Sequence, residues 1–259
     1  MTPMREGVWR FVRLNQRLSA RAREVLVRRP EEMAERYLDR IASLMDDARP
    51  HVVVDVGGGR SCLFADRRPA GAEMRIVAVD VSAEELALNR DADETIVADA
   101  SEGLPFADES VDLIVSRVTL EHLPDVGSFV RDTARVLTPG GWCVHLFAGR
   151  KAPYALANRS LPPAVASRLI HLLVPGSEGV LGFRAYYDKC SPGGVERLLR
   201  ESGFENVGVE VGYEQAFYFD FFLPLYVVAA LYDAAVRRLG LRELGSLILV
   251  SAQKPRGLP

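Results

Sequence analysis

The chain is poor in cysteine, has no long hydrophobic run and shows no excess of either charge. Its three cysteines, Cys62, Cys143 and Cys190, are far apart in 259 residues. They form neither a zinc-binding spacing nor a disulfide framework, which favours a reducing, cytoplasmic location. No segment reaches the ~18 apolar residues of a membrane span, and the N-terminus has no apolar signal-peptide core. The net charge of −3 argues against nucleic acid as a partner.

The most informative stretch is residues 51–59, with the sequence H-V-V-V-D-V-G-G-G. Four valines surround Asp55, and three consecutive glycines, Gly57, Gly58 and Gly59, follow. A short apolar run that ends in glycine is typical of a buried parallel strand entering a tight turn, where a ligand can approach the backbone closely. The next apolar strand ends in Asp80, about 20 positions later, where an acidic side chain can hold a nucleotide ribose. A purely structural turn is the alternative.

Strand and helix patterns alternate over residues 51–150. The predicted strands are 51–56, 75–80, 94–98, 111–116 and 142–148, with helices at 82–89 and 126–137 and two later strands at 207–213 and 246–252. This order predicts an α/β fold with a doubly wound, mostly parallel, seven-stranded Rossmann-like sheet. Ligands bind such sheets at the carboxyl ends of the strands. Asp55, Asp80, Asp99 and Ser116 lie at or near those ends and should converge.

Three later patches follow the glycine turn in a characteristic order. They are residues 97–106, residues 111–123 with Leu120-Glu121-His122-Leu123, and residues 135–141 with a closing Pro-Gly-Gly. Together the four pieces resemble class I S-adenosylmethionine-dependent methyltransferases, in the small-molecule branch often called type 11. The resemblance covers residues 50–150 well and continues more loosely to 213 and in the last strand. It implies an enzyme of small-molecule biosynthesis whose cofactor is S-adenosylmethionine.

One departure from nucleotide-binding patterns is informative. Arg60-Ser61-Cys62 follows the third glycine, where a dinucleotide-binding fingerprint needs a further glycine near Cys62. This argues against a nicotinamide dehydrogenase. It also predicts that the first helix of the fold is short or irregular.

The resemblance implies a role for each residue at the strand ends. Asp55 and the Gly57–Gly59 turn would cradle the methionine part of the cofactor. Asp80, with its neighbour Val81, would lie at the ribose, and Asp99 with the backbone of Ala100 at the adenine. Ser116 and Arg117 would face the sulfonium. Asp99 and Ser116 are alternatively cap or turn residues.

Methyl transfer to a hydroxyl or amine requires removal of a proton from the acceptor. His122 is the first candidate base, because imidazole titrates near neutral pH and this residue follows the fourth strand. It is alternatively a helix-end residue that only packs. Glu121 and Asp188 are further catalytic candidates. His145 lies within the fifth strand and is expected to be a structural core residue. No carboxylate cluster indicates a metal.

The remaining segments are expected to surround the acceptor. Residues 1–50 are predicted as an N-terminal helical cap before a methyltransferase domain at 51–259, with insertions at 151–190 and 214–245. The first insertion is broken by proline and glycine, as active-site covers often are. It ends near Arg184, Tyr186 and Tyr187, which the resemblance places at the acceptor. The second contains a long apolar helix with Pro224.

These segments are rich in Phe, Tyr and Leu, which favours a bulky, partly apolar acceptor such as a polyketide, lipid, quinone or lipid-linked sugar, methylated on oxygen, nitrogen or carbon. Residues 1–29 carry eight arginines against two glutamates. That helix packs on the domain, forms a lid, or lies on an anionic membrane surface as a peripheral contact. The apolar helix packs on the sheet or in a homodimer. A membrane-surface enzyme of lipids and a non-catalytic binding protein remain alternative functions.

Overall fold

The computed structural model describes residues 3–26, 32–160 and 184–257. A seven-stranded sheet with strand order β3-β2-β1-β4-β5-β7-β6 forms its centre. The strands are β1 (Val52–Val56), β2 (Arg75–Asp80), β3 (Glu94–Val97), β4 (Val111–Arg117), β5 (Leu137–Ala148), β6 (Glu205–Gly212) and β7 (Leu247–Gln253). The helices are α1 (Pro3–Leu26), α2 (Glu32–Ala48), α3 (Ala83–Leu86), α4 (Val126–Val136), α5 (Pro153–Ser160), α6 (Pro192–Glu201) and α7 (Leu223–Arg238). The predicted Rossmann-like α/β fold is confirmed.

Strands β1 to β5 pair in parallel, and β7 is antiparallel to both β5 and β6. The run of valines in β1 is explained by its central place, since helices cover both faces of the sheet. Phe129 of α4 and Leu199 of α6 pack into the core on one face. Ile41 and Met45 of α2 pack into the core on the other. The carboxyl ends of β1 to β4 therefore meet at one edge.

Two element boundaries differ clearly from the predicted ones. Strand β5 begins at Leu137, whereas the predicted strand began at residue 142; residues 138–141 form a bulge opposite Asp112, between the pairs Val111–Leu137 and Leu113–Trp142. Helix α3 spans only Ala83–Leu86, with Ser82 as its cap. Between Gly59 and β2 the chain forms only a 3₁₀ turn at Ala65–Arg67. This agrees with the prediction that the first helix is short or irregular.

Helix α1 packs along α7. The buried Asn15 joins them, since its Oδ1 accepts from the Leu223 N–H over 3.0 Å and its Nδ2 donates to the Phe11 carbonyl over 3.0 Å. The hydroxyl of Ser19 donates to the Asp220 carbonyl over 3.0 Å. The apolar helix of the second insertion is thus partly covered by α1. In the first insertion, α5 is described, and residues 161–183 of the predicted cover lie outside the described residues. Within the described ranges, no helix is both long and apolar enough to cross a membrane.

Candidate cofactor site and acceptor cavity

The glycine turn after β1 is sterically demanding. Gly57 has φ +78°, and its N–H donates to the Val79 carbonyl over 2.7 Å. A Cβ at this position would overlap Oγ1 of Thr119, and one at Gly58 would lie 3.1 Å from the Cβ of Ala78. Only glycine fits such a turn, whose backbone is left uncovered toward a ligand. A turn built of glycines, without side chains in the way, is compatible with the predicted contact between this turn and the cofactor.

Asp80 ends β2 directly beside this turn. Its Oδ2 accepts from the Gly59 N–H over 3.1 Å, and its Oδ1 accepts from the Ser82 N–H over 2.9 Å. Each carboxylate oxygen can accept more than one hydrogen bond. The half-buried side chain is thus fixed in orientation and still able to accept from two ribose hydroxyls. The neighbouring Val81 is 52% exposed.

Asp55 lies under the turn and is 6% exposed. Burial raises the pKa of its carboxyl to about 7, against the lowering effects of the Cys62 thiol and of the nearby Arg117 guanidinium. A carboxyl poised near neutral pH gains from a positively charged ligand, because a cation favours its ionised form. The amino group and sulfonium of the expected cofactor are such charges.

Asp99 and Ala100 follow β3. The preceding Ala98 N–H donates to the Asp80 carbonyl over 3.0 Å, which brings the ends of β2 and β3 together. The exposed Asp99 carboxylate accepts from the Ser101 N–H over 2.8 Å. Both the predicted adenine contact and the alternative turn role are compatible with this position, and the assignment stays a prediction.

Ser116 and Arg117 end β4 with opposite environments. The Ser116 hydroxyl is fully buried and lies 2.8 Å from Nδ1 of His145. That places the hydroxyl inside the sheet–helix interface, so only its backbone remains at the strand end. Burial lowers the pKa of His145 to about 3, in agreement with the expected core role of this residue. Arg117 is exposed and lines a cavity next to the cofactor residues.

This cavity has a volume of about 910 Å³ and lies between the sheet edge, α1 and α7. Its lining combines aromatic and aliphatic side chains with the guanidinium groups of Arg23, Arg117, Arg237 and Arg238. Two acidic side chains that line the cavity accept hydrogen bonds from backbone N–H groups. Asp233 accepts from the Ala216 N–H over 3.0 Å, and Glu214 accepts from the Met33 N–H over 3.1 Å. The cavity is suited to an amphiphilic molecule.

Glu121 is 2% exposed, and burial raises the pKa of its carboxyl to about 7. Its Oε1 accepts from the Ala148 N–H over 3.2 Å, whereas its Oε2 has no hydrogen-bond partner among the described residues. The Glu121 backbone carbonyl accepts from the N–H groups of Tyr186 and Tyr187 over 2.8 and 3.0 Å. Burial, and then the charge of the Glu121 carboxyl, raise the pKa of the cavity residue Tyr218 to about 12, so this carboxyl lies near the cavity. The catalytic role of Glu121 stays a prediction.

The other predicted catalytic and acceptor residues lie at or next to the C-terminal end of the segment 151–190. Nδ1 of His122 lies 3.2 Å from the Arg184 carbonyl, and Oδ2 of Asp188 accepts from the Val126 N–H over 3.2 Å. The Arg184 guanidinium lies 4.9 Å from the ring centroid of Tyr186. Tyr187 is 3% exposed. None of these five residues lines the described cavity, and their roles stay predictions.

Two contributors to the site carry no sequence signal. Asn89 is buried behind the glycine turn, where its Nδ2 donates to the Gly59 carbonyl over 2.9 Å and its Oδ1 accepts from the N–H groups of Asp91 and Ala92, each over 3.0 Å. Tyr154 stacks on Tyr218 with ring centroids 4.3 Å apart. Both depend on contacts between distant segments, which no local pattern reports.

Comparison with known families agrees with the fold. Residues 54–145 match the family model described as a methyltransferase domain. The 27-O-demethylrifamycin SV methyltransferase of Amycolatopsis mediterranei is 32% identical over 120 residues, or 43% of this chain and 43% of that protein. Malonyl-[acyl-carrier protein] O-methyltransferase 1 of Coxiella burnetii is 31% identical over 112 residues, or 43% of this chain and 38% of that protein.

The chain spans less than half the length of these two curated relatives. Among solved structures, the [4+2]-cyclase SpnF has a TM-score of 0.56 at 19% identity, covering 89% of this chain and 84% of that one, a likeness of fold alone. Three observations indicate the same fold. They are the matched family model, the strand order, and the glycine turn with Asp80 beside it. Over residues 54–145 the chain is therefore similar to the class I S-adenosylmethionine-dependent methyltransferases, in their small-molecule, type 11-like branch.

Proposed function

We propose that this chain transfers a methyl group from S-adenosylmethionine to an oxygen of a bulky, partly apolar small molecule. The observation that carries the proposal is the place of Arg117. This side chain lines the cavity of about 910 Å³ and acts electrostatically on Asp55 beneath the glycine turn. The cofactor residues and the cavity are therefore neighbours, as an in-line transfer between two bound molecules requires.

When bound, the cofactor supplies a methyl group on a sulfonium, which is an excellent leaving group. The chain would hold it through the Gly57–Gly59 backbone and the carboxylates of Asp80 and Asp99. The remaining task of the protein is to align the acceptor and exclude water. The aromatic pair Tyr154 and Tyr218 provides a rigid wall for this purpose.

The acceptor proton has three candidate bases in this arrangement. Glu121 offers a carboxyl with a pKa of about 7 and a buried oxygen without a described partner. His122 offers Nε2 when Nδ1–H donates to the Arg184 carbonyl. Asp188 is the weaker candidate, because its carboxylate already caps α4. A base with a pKa near the working pH is the most effective, which favours Glu121.

The size and lining of the cavity support the acceptor class. Its volume is near the upper end of small-molecule pockets. The relative from Coxiella burnetii is named as an O-methyltransferase, which is why oxygen is the proposed acceptor atom. A nitrogen or carbon acceptor is the alternative within the same reaction type.

Calorimetric titration with S-adenosylmethionine, S-adenosylhomocysteine and NAD tests the cofactor assignment. We expect the wild type to bind S-adenosylmethionine and S-adenosylhomocysteine at micromolar concentrations and not to bind NAD. Asp80→Ala should lose the binding of both S-adenosyl compounds. Asp93→Ala is the matched control, since Asp93 also accepts from a backbone N–H, that of Ile76 over 2.8 Å, at the opposite end of β2. An equal loss of cofactor binding in both variants would mean that Asp80→Ala acts by disturbing the fold and not by removing a cofactor contact.

Turnover separates the enzyme from two alternatives of the same fold, a non-catalytic binding protein and an enzyme of another reaction type. Release of S-adenosylhomocysteine in the presence of apolar hydroxylated acceptors is the expected result. Cofactor binding combined with conversion of an acceptor that gains no methyl group would contradict methyl transfer.

A further inference from the structure

Helix α1 carries an apolar stripe that the described structure leaves partly exposed. Its buried side includes Val12, Asn15 and Ser19 and faces α7. Beside this buried side, Phe11, Leu14, Leu18 and Val25 recur at intervals of three, four and seven residues, so that they lie on one face of the helix. Their exposed fractions are 52%, 57%, 36% and 82%. A helix that only packed on the domain would not need this second apolar face.

A row of arginines flanks the exposed stripe. Arg10, Arg13, Arg17 and Arg21 recur at intervals of three and four residues, on the far side of the stripe from the buried face. All four are exposed, and no ion pair joins any of them to another described residue. Arginines that neutralise no acidic side chain of their own domain are available for an external anionic surface.

Helix α7 extends the apolar surface. Leu225, Val228 and Leu231 are 38%, 63% and 59% exposed, and no charged residue occurs between Asp220 and Asp233. The ring of Phe222, just before α7, stacks on Phe11 of α1 with centroids 6.2 Å apart. The two apolar stripes therefore meet, and together they form what we call the α1/α7 face.

We propose that the α1/α7 face docks this protein peripherally on an anionic lipid surface. Apolar side chains would enter the boundary between headgroups and acyl chains, and the arginine row would contact anionic headgroups. A second copy of the chain fits less well, because the face has no exposed acidic row to pair with the arginines. Apart from Glu24, the exposed charges that the structure describes on α1 are all arginines.

The docking face adjoins the acceptor cavity. Arg23 and Val25 of α1 and Tyr226 and Ala230 of α7 all line that cavity. An amphiphilic molecule held in the membrane surface would thus be presented to the two helices that enclose it. The docking itself does not depend on methyl transfer, and its test needs no turnover.

Co-sedimentation of the full chain with vesicles tests the proposal. Phosphatidylcholine vesicles containing phosphatidylglycerol should bind the protein, pure phosphatidylcholine vesicles should bind it far less, and added salt should weaken binding. Replacing Arg10, Arg13, Arg17 and Arg21 together by glutamine should lower the partition coefficient by at least ~100-fold, since each basic residue contributes about fivefold. Val228→Ser with Leu231→Ser should lower it by about tenfold.

Matched controls carry the same chemical changes elsewhere. Arg49, Arg90, Arg197 and Arg256 are exposed arginines outside the face, and their joint change to glutamine should leave binding within twofold. Leu63→Ser with Leu88→Ser, at 47% and 56% exposure, controls for the apolar pair. Circular dichroism melting shows that each variant is folded. Loss of binding in the control variants, or no binding by the wild type, would overturn the proposal. A concentration-dependent dimer abolished by the α1/α7 variants, without vesicle binding, would assign the face to a second copy instead.

Discussion

A Cβ on Gly57 would occupy the place of the Thr119 hydroxyl, which itself donates to the Val56 carbonyl over 3.0 Å. The loop after β4 is therefore closed onto the turn after β1 by a contact that only glycine permits. The same turn contacts Asp80 through the Gly59 N–H, so it links the ends of β1, β2 and β4.

The first prediction concerns Gly57→Ala. The new side chain would adopt a left-handed backbone conformation, which costs about 1–2 kcal/mol, and would also overlap Thr119. We expect the free energy of unfolding to fall by more than the backbone cost alone, and the affinity for S-adenosylhomocysteine to fall at least tenfold. Urea denaturation and calorimetric titration measure the two effects.

Gly71→Ala is the matched control for this substitution. Gly71 has φ +76°, close to the +78° of Gly57, but a Cβ there would meet nothing within 4 Å. It should show the backbone cost with unchanged cofactor affinity. Equal effects in the two variants would mean that the contact between Gly57 and Thr119 does not shape the site.

Much of the fold could be predicted from the sequence because its signals are local. The valine run of β1 needs only apolar β-formers and a following glycine, and Asp80 needs only its distance from that turn. The segment Thr138–Gly141 shows the limit of such signals. It lies outside the predicted strand 142–148, yet it is part of β5 as a bulge of four residues opposite Asp112, between the pairs Val111–Leu137 and Leu113–Trp142.

The acceptor side was less predictable, because burial there depends on segments far apart in the chain. Glu121 and His122 are adjacent in sequence, but the structure buries the carboxyl and leaves the imidazole partly exposed at the edge of the cover. The cavity is enclosed by α1 and α7, about 200 positions apart. No periodicity could show that Arg117 and Tyr226 line the same space.

The second prediction concerns Asn89, which the sequence did not single out. Asn89→Ala would leave the Gly59 carbonyl and the N–H groups of Asp91 and Ala92 without their partner, and such losses cost about 1–3 kcal/mol. We expect lower stability together with at least fivefold weaker binding of S-adenosylhomocysteine, measured as above.

Asn15→Ala separates stability from binding in this comparison. Asn15 has the same 7% exposure as Asn89 and also bridges two backbone groups, but it does so between α1 and α7. Its removal should lower stability to a similar degree and leave cofactor affinity unchanged. If Asn15→Ala weakened cofactor binding as much as Asn89→Ala, the role of Asn89 behind the turn would be refuted.

The third prediction contrasts the buried Tyr226 with the partly buried Tyr154. The Tyr226 hydroxyl is buried at the cavity without a hydrogen-bond partner among the described residues, whereas the Tyr154 hydroxyl donates to the Ser246 carbonyl over 3.0 Å. Tyr226→Phe should leave the free energy of unfolding unchanged or raise it by up to about 1 kcal/mol, and Tyr154→Phe should lower it by about 1–2 kcal/mol. Urea denaturation measures both. A clear loss of stability in Tyr226→Phe would contradict this prediction and reveal a hydrogen-bond partner for its hydroxyl.

The last prediction concerns the pH dependence that Glu121 gives to stability. Burial raises the pKa of its carboxyl from 4.5 to about 7. Between these values the folded protein holds a proton that the unfolded chain has released, so stability falls as pH rises through this window. Glu121→Gln removes this dependence. The variant should therefore gain about 2–3 kcal/mol on the wild type between pH 5 and pH 8.

Urea denaturation of both proteins across this pH range measures that difference. Asp55→Asn is the companion variant, because burial raises the pKa of Asp55 to about 7 as well and predicts a change of the same sign. If Glu121→Gln instead lost stability relative to the wild type as pH rose, the carboxylate would be ionised and stabilised in the folded state. It would then be a structural anion fixed by its contacts, and the proton of the acceptor would have to pass to His122.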